Sequence, residues 1–166
     1  ACLLSSARTG LCAAIAIDLL SRGRNNIVII GAGRVGYYAA FYAAQLGEVG
    51  SISIIDNDHD RAVNMAALLS QQIPAVRFTA LGDYQQARDA DVLVLATTST
   101  EPICSPHDTN ANLTISLGAD TDYQRELDPA WATVADIFVD TLDCARFGDL
   151  NSWREAGLID TSRLTD

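Results

Sequence analysis

Leu11, Ile15 and Leu19 recur every four residues near the start of the chain, which places them on one face of a helix from about Thr9 to Ser21. That spacing predicts a helix buried along the Leu11–Leu19 stripe and ended by Asn25-Asn26. Ile27-Val28-Ile29-Ile30 follows, a continuous apolar run too short for a helix and bounded by turn residues, the pattern of a parallel strand covered on both faces. Beyond it the two patterns alternate: a helix through Tyr37–Leu46, a strand over Ser51–Ile55, a helix over Arg61–Gln72, then strands over Val76–Thr79 and Asp91–Ala96. A fifth strand, Leu113–Leu117, and a sixth, Ile137–Val139, bracket a helix whose start reads Asp128-Pro129, a capping residue followed by proline at the first helical position. Two short helices are expected near Cys144–Phe147 and Ser152–Ala156.

Strands separated by helical segments imply βαβ units and a parallel sheet. The predicted first strand runs straight into Gly31-Ala32-Gly33-Arg34-Val35-Gly36, a GxGxxG pattern between strand and helix. In that setting each glycine has a task. Gly31 permits the tight turn, Gly33 lets backbone approach a pyrophosphate at the helix N-terminus, and Gly36 lets the helix pack close on the sheet. The fold class read from this order is α/β, a Rossmann-type doubly wound parallel sheet with helices on both faces. Six strands would complete it, and residues 1–166 are read as one domain.

Composition narrows the partners. With 49% hydrophobic residues the chain has enough apolar material for one domain core. Acidic residues, 21 against 11 basic ones, give a formal charge of -10, and a surface of that sign repels a phosphate backbone, so nucleic acid is not an expected partner. The four cysteines, Cys2, Cys12, Cys104 and Cys144, form no CxxC pair and are read as reduced thiols of a cytoplasmic protein. His59 and His107 stand in separate polar segments, so no metal site is expected. Asp18 interrupts the apolar stretch near the N-terminus, and no segment is read as long enough to span a membrane.

Asp56 ends the second predicted strand about twenty residues after the glycine turn, where an acid accepts hydrogen bonds from the adenosine ribose hydroxyls. It could equally cap the helix that starts near Asp58. A carboxylate here repels a 2′-phosphate and favours NAD over NADP, whereas Arg61, one turn on, could reach such a phosphate. Ala96-Thr97-Thr98-Ser99 follows the fourth strand and Gly118-Ala119-Asp120 the fifth, both at the carboxyl edge of the sheet where α/β ligands bind. From the residues alone, Thr97–Ser99 is either nicotinamide-facing or ordinary turn chemistry, and Asp120 is either a turn cap or a proton-handling group.

Three further segments carry a family resemblance. Ser5-Ser6-Ala7-Arg8-Thr9-Gly10 resembles the Arg-Thr-Gly/Ala helix start that precedes the fingerprint in the ornithine cyclodeaminase/mu-crystallin family. Leu95–Pro102 is similar to its Ala-Thr-x-Ser-x-x-Pro segment, and Gly118-Ala119-Asp120 with Arg125-Glu126-Leu127-Asp128 to its Gly-Ala-Asp…Glu-Leu-Asp segment. The likeness runs from about Ser5 to Gly157. It implies that Arg8 clamps a substrate carboxylate, that Thr9 touches the cofactor phosphates and that Asp120 manages protons and hydrolytic water at the substrate's amino carbon. The cofactor-binding set is then Thr9, Gly31, Gly33, Arg34, Val35, Gly36, Asp56, Thr97, Thr98 and Gly118. The expected activity is NAD-dependent removal of hydride from the α-carbon of an amino acid, followed by deamination or cyclodeamination. A ketimine or imino-acid reductase and a non-catalytic NAD-sensing module are the alternatives. The resemblance also implies an N-terminal domain with a catalytic lysine, a C-terminal return segment and a homodimer for the full-length protein.

Overall fold

The computed structural model describes residues 3–119 and 121–165, which divide into two compact units. The first comprises residues up to 97 together with 109–117, the second residues 98–108 and 118 onward.

In the first unit, α1 (Leu3–Leu20) leads into β1 (Asn26–Ile30), α2 (Arg34–Ala43), β2 (Ser51–Ile55), α3 (His59–Gln72), β3 (Arg77–Ala80), β4 (Val92–Leu95) and β5 (Leu113–Ser116). The strands form one parallel sheet in the order β3-β2-β1-β4-β5, with Ile27 opposite both Ile52 and Val92. This is the Rossmann arrangement, its order reversing between β1 and β4. A 3-10 turn at Tyr84–Ala87, opened by Asp83 accepting the Gln85 amide at 2.9 Å, replaces a full helix between β3 and β4. Ile27, Ile29, Ile52, Ile54, Val92 and Val94 share one core with α1, α2 and α3. Val28, Ile30, Ile55, Leu93 and Leu95, which alternate with them, are buried too. The uninterrupted apolar runs therefore match strands buried on both sides, each enclosed isoleucine stabilising the fold by roughly 1.5–3 kcal/mol.

The helix α1 differs from its sequence reading. Leu11, Ile15 and Leu19 are 44%, 50% and 74% exposed, and the buried face is instead Ser6, Gly10, Ala13, Ala14 and Ile17. The physical reason is the neighbour. A Cβ at Gly10 would lie 2.6 Å from the Ala39 nitrogen and the Tyr38 Cβ, so only a small-residue face lets α1 lie against α2. By length and composition alone α1 also meets the requirement for crossing a membrane, with mean hydropathy 1.5. This corrects the expectation that no segment does, since Arg8 and Asp18 are its only charges.

The second unit holds α4 (Trp131–Val134), β6 (Ile137–Phe138), α5 (Gly148–Glu155) and β7 (Leu164–Thr165), with 3-10 turns at Leu142–Arg146 and Thr161–Arg163. The predicted cap is displaced: the Asp128 carboxylate accepts the Ala130 amide at 2.8 Å in the turn before α4, while the helix itself starts at Trp131 with Ala130 as its N-cap, so Pro129 is not the first helical residue. The predicted sixth strand is not part of the large sheet. Its two residues pair in parallel with β7, because Ile137 and Val139 pack against the second core of Ala132, Ala145, Trp153, Ile159 and Leu164. Trp131 belongs to the same cluster and donates its indole N–H to the Cys104 carbonyl at 3.0 Å.

Candidate functional site

The carboxyl end of β1 delivers the chain into the glycine turn. Gly31, at φ 107°, donates its amide to the Ile55 carbonyl at 2.8 Å, which ties the turn to the end of β2. A Cβ there would sit 2.4 Å from the Ala96 carbonyl oxygen and 3.3 Å from the Thr97 methyl, so Thr97 lies beside the first glycine. At Gly36 a Cβ would fall 1.9 Å from the Gly31 carbonyl oxygen. Both glycines are therefore explained by packing. Gly33 is not: the nearest neighbour of a Cβ there would be the Arg61 guanidinium at 3.9 Å, an ordinary van der Waals contact. As N-cap of α2, Gly33 brings no side chain to the first-turn amides, so an anion's oxygens would meet backbone there. Arg34 is exposed and Val35 half-buried on that first turn.

Asp56 faces the same turn from the end of β2. One carboxylate oxygen accepts the Ala32 amide at 2.6 Å, the other the Asp58 amide at 2.9 Å. The side chain is 6% exposed, and the Arg61 guanidinium, 53% exposed, stands 3.8 Å from it while donating to the Ala32 carbonyl at 3.3 Å. Asp56 thus both opens the turn before α3 and braces the glycine loop. Arg61 lies over that loop, within the first helical turn of α3.

Arg8 and Thr9 precede Gly10, the residue pressed against Tyr38 and Ala39 in the first half of α2. Arg8 is exposed, with no partner among the described residues. The Thr9 hydroxyl donates to the Ser5 carbonyl at 3.0 Å, a bond within its own helix.

The second unit carries Thr98, which is exposed, and Gly118. Ser99 shows turn chemistry: its hydroxyl donates to the Glu101 carbonyl at 2.6 Å and accepts the Glu101 amide at 3.2 Å. The Gly118 amide donates to the Glu126 carboxylate at 2.9 Å. Glu126 is fully buried and Asp149 is 4% exposed, and the Asp149 carboxylate accepts the amides of Glu126 and Leu127. Burial pushes Asp149 up to about 6, against the pull of those two amides. Asp120 lies outside the described residues. The buried pair Glu126–Asp149 is a feature the sequence reading missed: Glu126 entered it only as part of a family-like segment, and Asp149 had no role in it.

The chain as a whole has relatives. An iminosuccinate reductase of Paracoccus denitrificans is 30% identical over 164 residues, 95% of this chain and 49% of that protein. Its crystal structure with NAD+ superposes with a TM-score of 0.87 at 25% identity, covering 99% of this chain and 51% of that one. A Thermococcus litoralis Δ1-pyrroline-2-carboxylate reductase in complex with NADH and L-proline gives 0.88 at 21% identity, over 96% of this chain and 51% of that one. An archaeal alanine dehydrogenase dimer with bound NAD gives 0.85 at 24%, over 97% and 51%. The chain thus spans about half the length of these relatives. A family model covers nearly all of it, residues 1–161, and by that match the chain belongs to the ornithine cyclodeaminase/mu-crystallin family.

Proposed function

We propose that this chain is the nucleotide-holding half of an NAD(H)-dependent enzyme that interconverts an amino acid and its α-imino acid. The observation that carries the reading is Gly33, a glycine with no packing need for its missing side chain, set at the uncapped start of α2 between two glycines that do have one. A pyrophosphate is the group for which such a gap is required. The backbone of Gly31–Gly36 would hold it, with Thr9 on the neighbouring helix and Thr97 and Thr98 after β4. Asp56 would meet the ribose hydroxyls. Because its carboxylate disfavours an added 2′-phosphate, NAD is the cofactor assigned, with NADP the weaker ligand.

Bound NAD supplies hydride acceptance from the substrate's α-carbon, or donation in reverse. The protein's part is placement. The guanidinium of Arg8 can grip a substrate carboxylate through two parallel hydrogen bonds. Asp120 would take the proton lost by the amino nitrogen and activate the water that hydrolyses the imine. In cyclodeamination a side-chain amine replaces that water. The 30% identity to an iminosuccinate reductase along nearly the whole chain supports the reductive direction alongside the oxidative one.

Calorimetric titration of the chain with NADH and NADPH, and turnover assays of the protein carrying the implied substrate domain, test the reading. The expected result is tighter NADH binding, with turnover of an imino acid plus NADH or of ornithine, alanine or proline plus NAD+. No binding of either nucleotide would overturn it.

A further inference from the structure

Gly118, Ala119 and Thr121 are held by two groups, Glu126 eight residues on from Gly118 and Gly148 at the start of α5. On one side the Gly118 amide is bonded to the carboxylate of Glu126 at 2.9 Å. On the other, Gly148 at φ 54° donates its amide to the Thr121 carbonyl at 3.1 Å. A Cβ on Gly148 would lie 2.3 Å from the Ala119 carbonyl oxygen and 2.6 Å from the Ala119 methyl, so α5 begins in direct contact with Ala119. The next residue, Asp149, turns its carboxylate the other way. It accepts the Glu126 amide at 3.2 Å to each oxygen and the Leu127 amide at 3.4 Å. Gly148 and Asp149 therefore hold both Thr121 and the residue that holds Gly118.

Two enclosed carboxylates are a poor way to gain stability, because the loss of hydration costs several kcal/mol per ion. Apolar residues of the same volume would fill the space at lower cost. What a carboxylate does here that an apolar side chain cannot is fix a backbone amide at a set distance and direction. The amides so fixed are Gly118, Glu126 and Leu127.

We propose that Glu126 and Asp149 are positioning residues which, with Gly148, set the geometry of Gly118, Ala119 and Thr121 for the reaction, Glu126 by gripping the Gly118 amide and Asp149 by holding Glu126 in place. This rests on the proposed function, which puts a proton-handling group next to them in the chain. The effect is expected in the chemical step, since a displacement of about 1 Å at a reacting group can cost roughly a hundredfold in rate.

The experiment uses Glu126→Gln, which keeps one acceptor oxygen and the shape, and Glu126→Ala, which keeps neither. Amide hydrogen exchange of Gly118 is measured in the chain itself, and kcat and NADH affinity in the protein with its substrate domain. The expected result is a Gly118 amide protected in wild type, less so in Glu126→Gln and open in Glu126→Ala. In the same order kcat should fall, by about a hundredfold for Glu126→Ala, a larger fold-change than that in NADH affinity. If Glu126→Ala does not fold, the Gln variant alone must show the intermediate exchange rate and kcat. Unchanged Gly118 exchange in either variant would overturn the clamp. Faster exchange with unchanged kcat would overturn its role in the reaction. Absence of turnover by the wild type would overturn the proposed function and the role with it, while the exchange rates still decide the clamp.

Discussion

The Asp56 carboxylate accepts the Ala32 amide at 2.6 Å, so the end of β2 is bonded directly to the glycine turn that ends β1. The same oxygens are those the proposed ribose contact would use, and Arg61 stands beside them. Asp56→Ser removes the negative charge while leaving a small hydroxyl. Calorimetry should then show the NADH-over-NADPH preference reduced by about tenfold, close to 1.4 kcal/mol, with Arg61 providing the positive charge that NADPH gains. An unchanged preference would mean that Asp56 serves the loop alone.

The glycines of the turn should separate ligand approach from packing. Gly33→Ala adds a methyl that meets nothing closer than the Arg61 guanidinium at 3.9 Å and should leave unfolding free energy within about 0.5 kcal/mol of wild type, yet weaken NADH binding by at least about tenfold. Gly36→Ala places a methyl 1.9 Å from the Gly31 carbonyl oxygen and should cost about 1–3 kcal/mol as well as binding. Denaturant melts beside cofactor titrations check both, and equal stability losses in the two variants would contradict the assignment.

Asp120→Asn keeps size and one acceptor oxygen but cannot take up a proton. In the protein with its substrate domain, kcat should fall by roughly 10²–10⁴ with NAD affinity nearly unchanged. Near-wild-type turnover would reduce Asp120 to a turn cap, a role asparagine fills equally well.

Asp149 makes stability depend on pH in the direction opposite to most carboxylates. Burial, reinforced by the charge of Glu126, raises it from 3.8 to about 6, against the Glu126 and Leu127 amides and Arg125. A carboxyl with a higher folded than unfolded value binds its proton more readily when folded. Its contribution is therefore present below about pH 4 and lost as pH rises through about 6. Urea melts of wild type and Asp149→Asn at about pH 4.5 and about pH 7.5 should show the variant gaining on wild type at the higher pH. A constant difference would place Asp149 at an ordinary value.

Thiol labelling at about pH 8 should reach Cys12 on the exposed face of α1 well before Cys104 or Cys144. Burial pushes Cys104 up to about 12, with Asp108 adding to it, and burial with the Asp140 hydrogen bond takes Cys144 to about 11, so neither holds much thiolate. Mass spectrometry of alkylated peptides against time gives the order, and fast modification of Cys104 in the native protein would contradict it.

Much of the first unit was legible because its signals are local. An apolar run such as Ile27–Ile30 ending in GxGxxG specifies a strand, a turn and a helix within ten residues. The face of α1 was not legible. Two apolar stripes compete on that helix, and burial went to Gly10, Ala13 and Ala14 because the neighbouring helix comes too close for leucine. The short strand Ile137–Phe138 was misplaced for a related reason: its pattern gave a strand but not its partner, which is Leu164–Thr165 near the end of the chain. Glu126 and Asp149 were hidden because 23 residues separate two acids that the fold buries side by side.

The second core contains both tryptophans of the chain, Trp131 and Trp153, whereas the first unit has none. Its aromatic residues include Tyr37, Tyr38, Phe41 and Tyr42, arranged edge-to-face and stacked along α2. Indole emission is consequently a gauge of the second unit alone, while phenol absorbance and circular dichroism of the helices track mainly the sheet and its glycine turn. Two optical channels can thus follow the two units through a single melt, and a gap between their midpoints would measure how far they unfold independently.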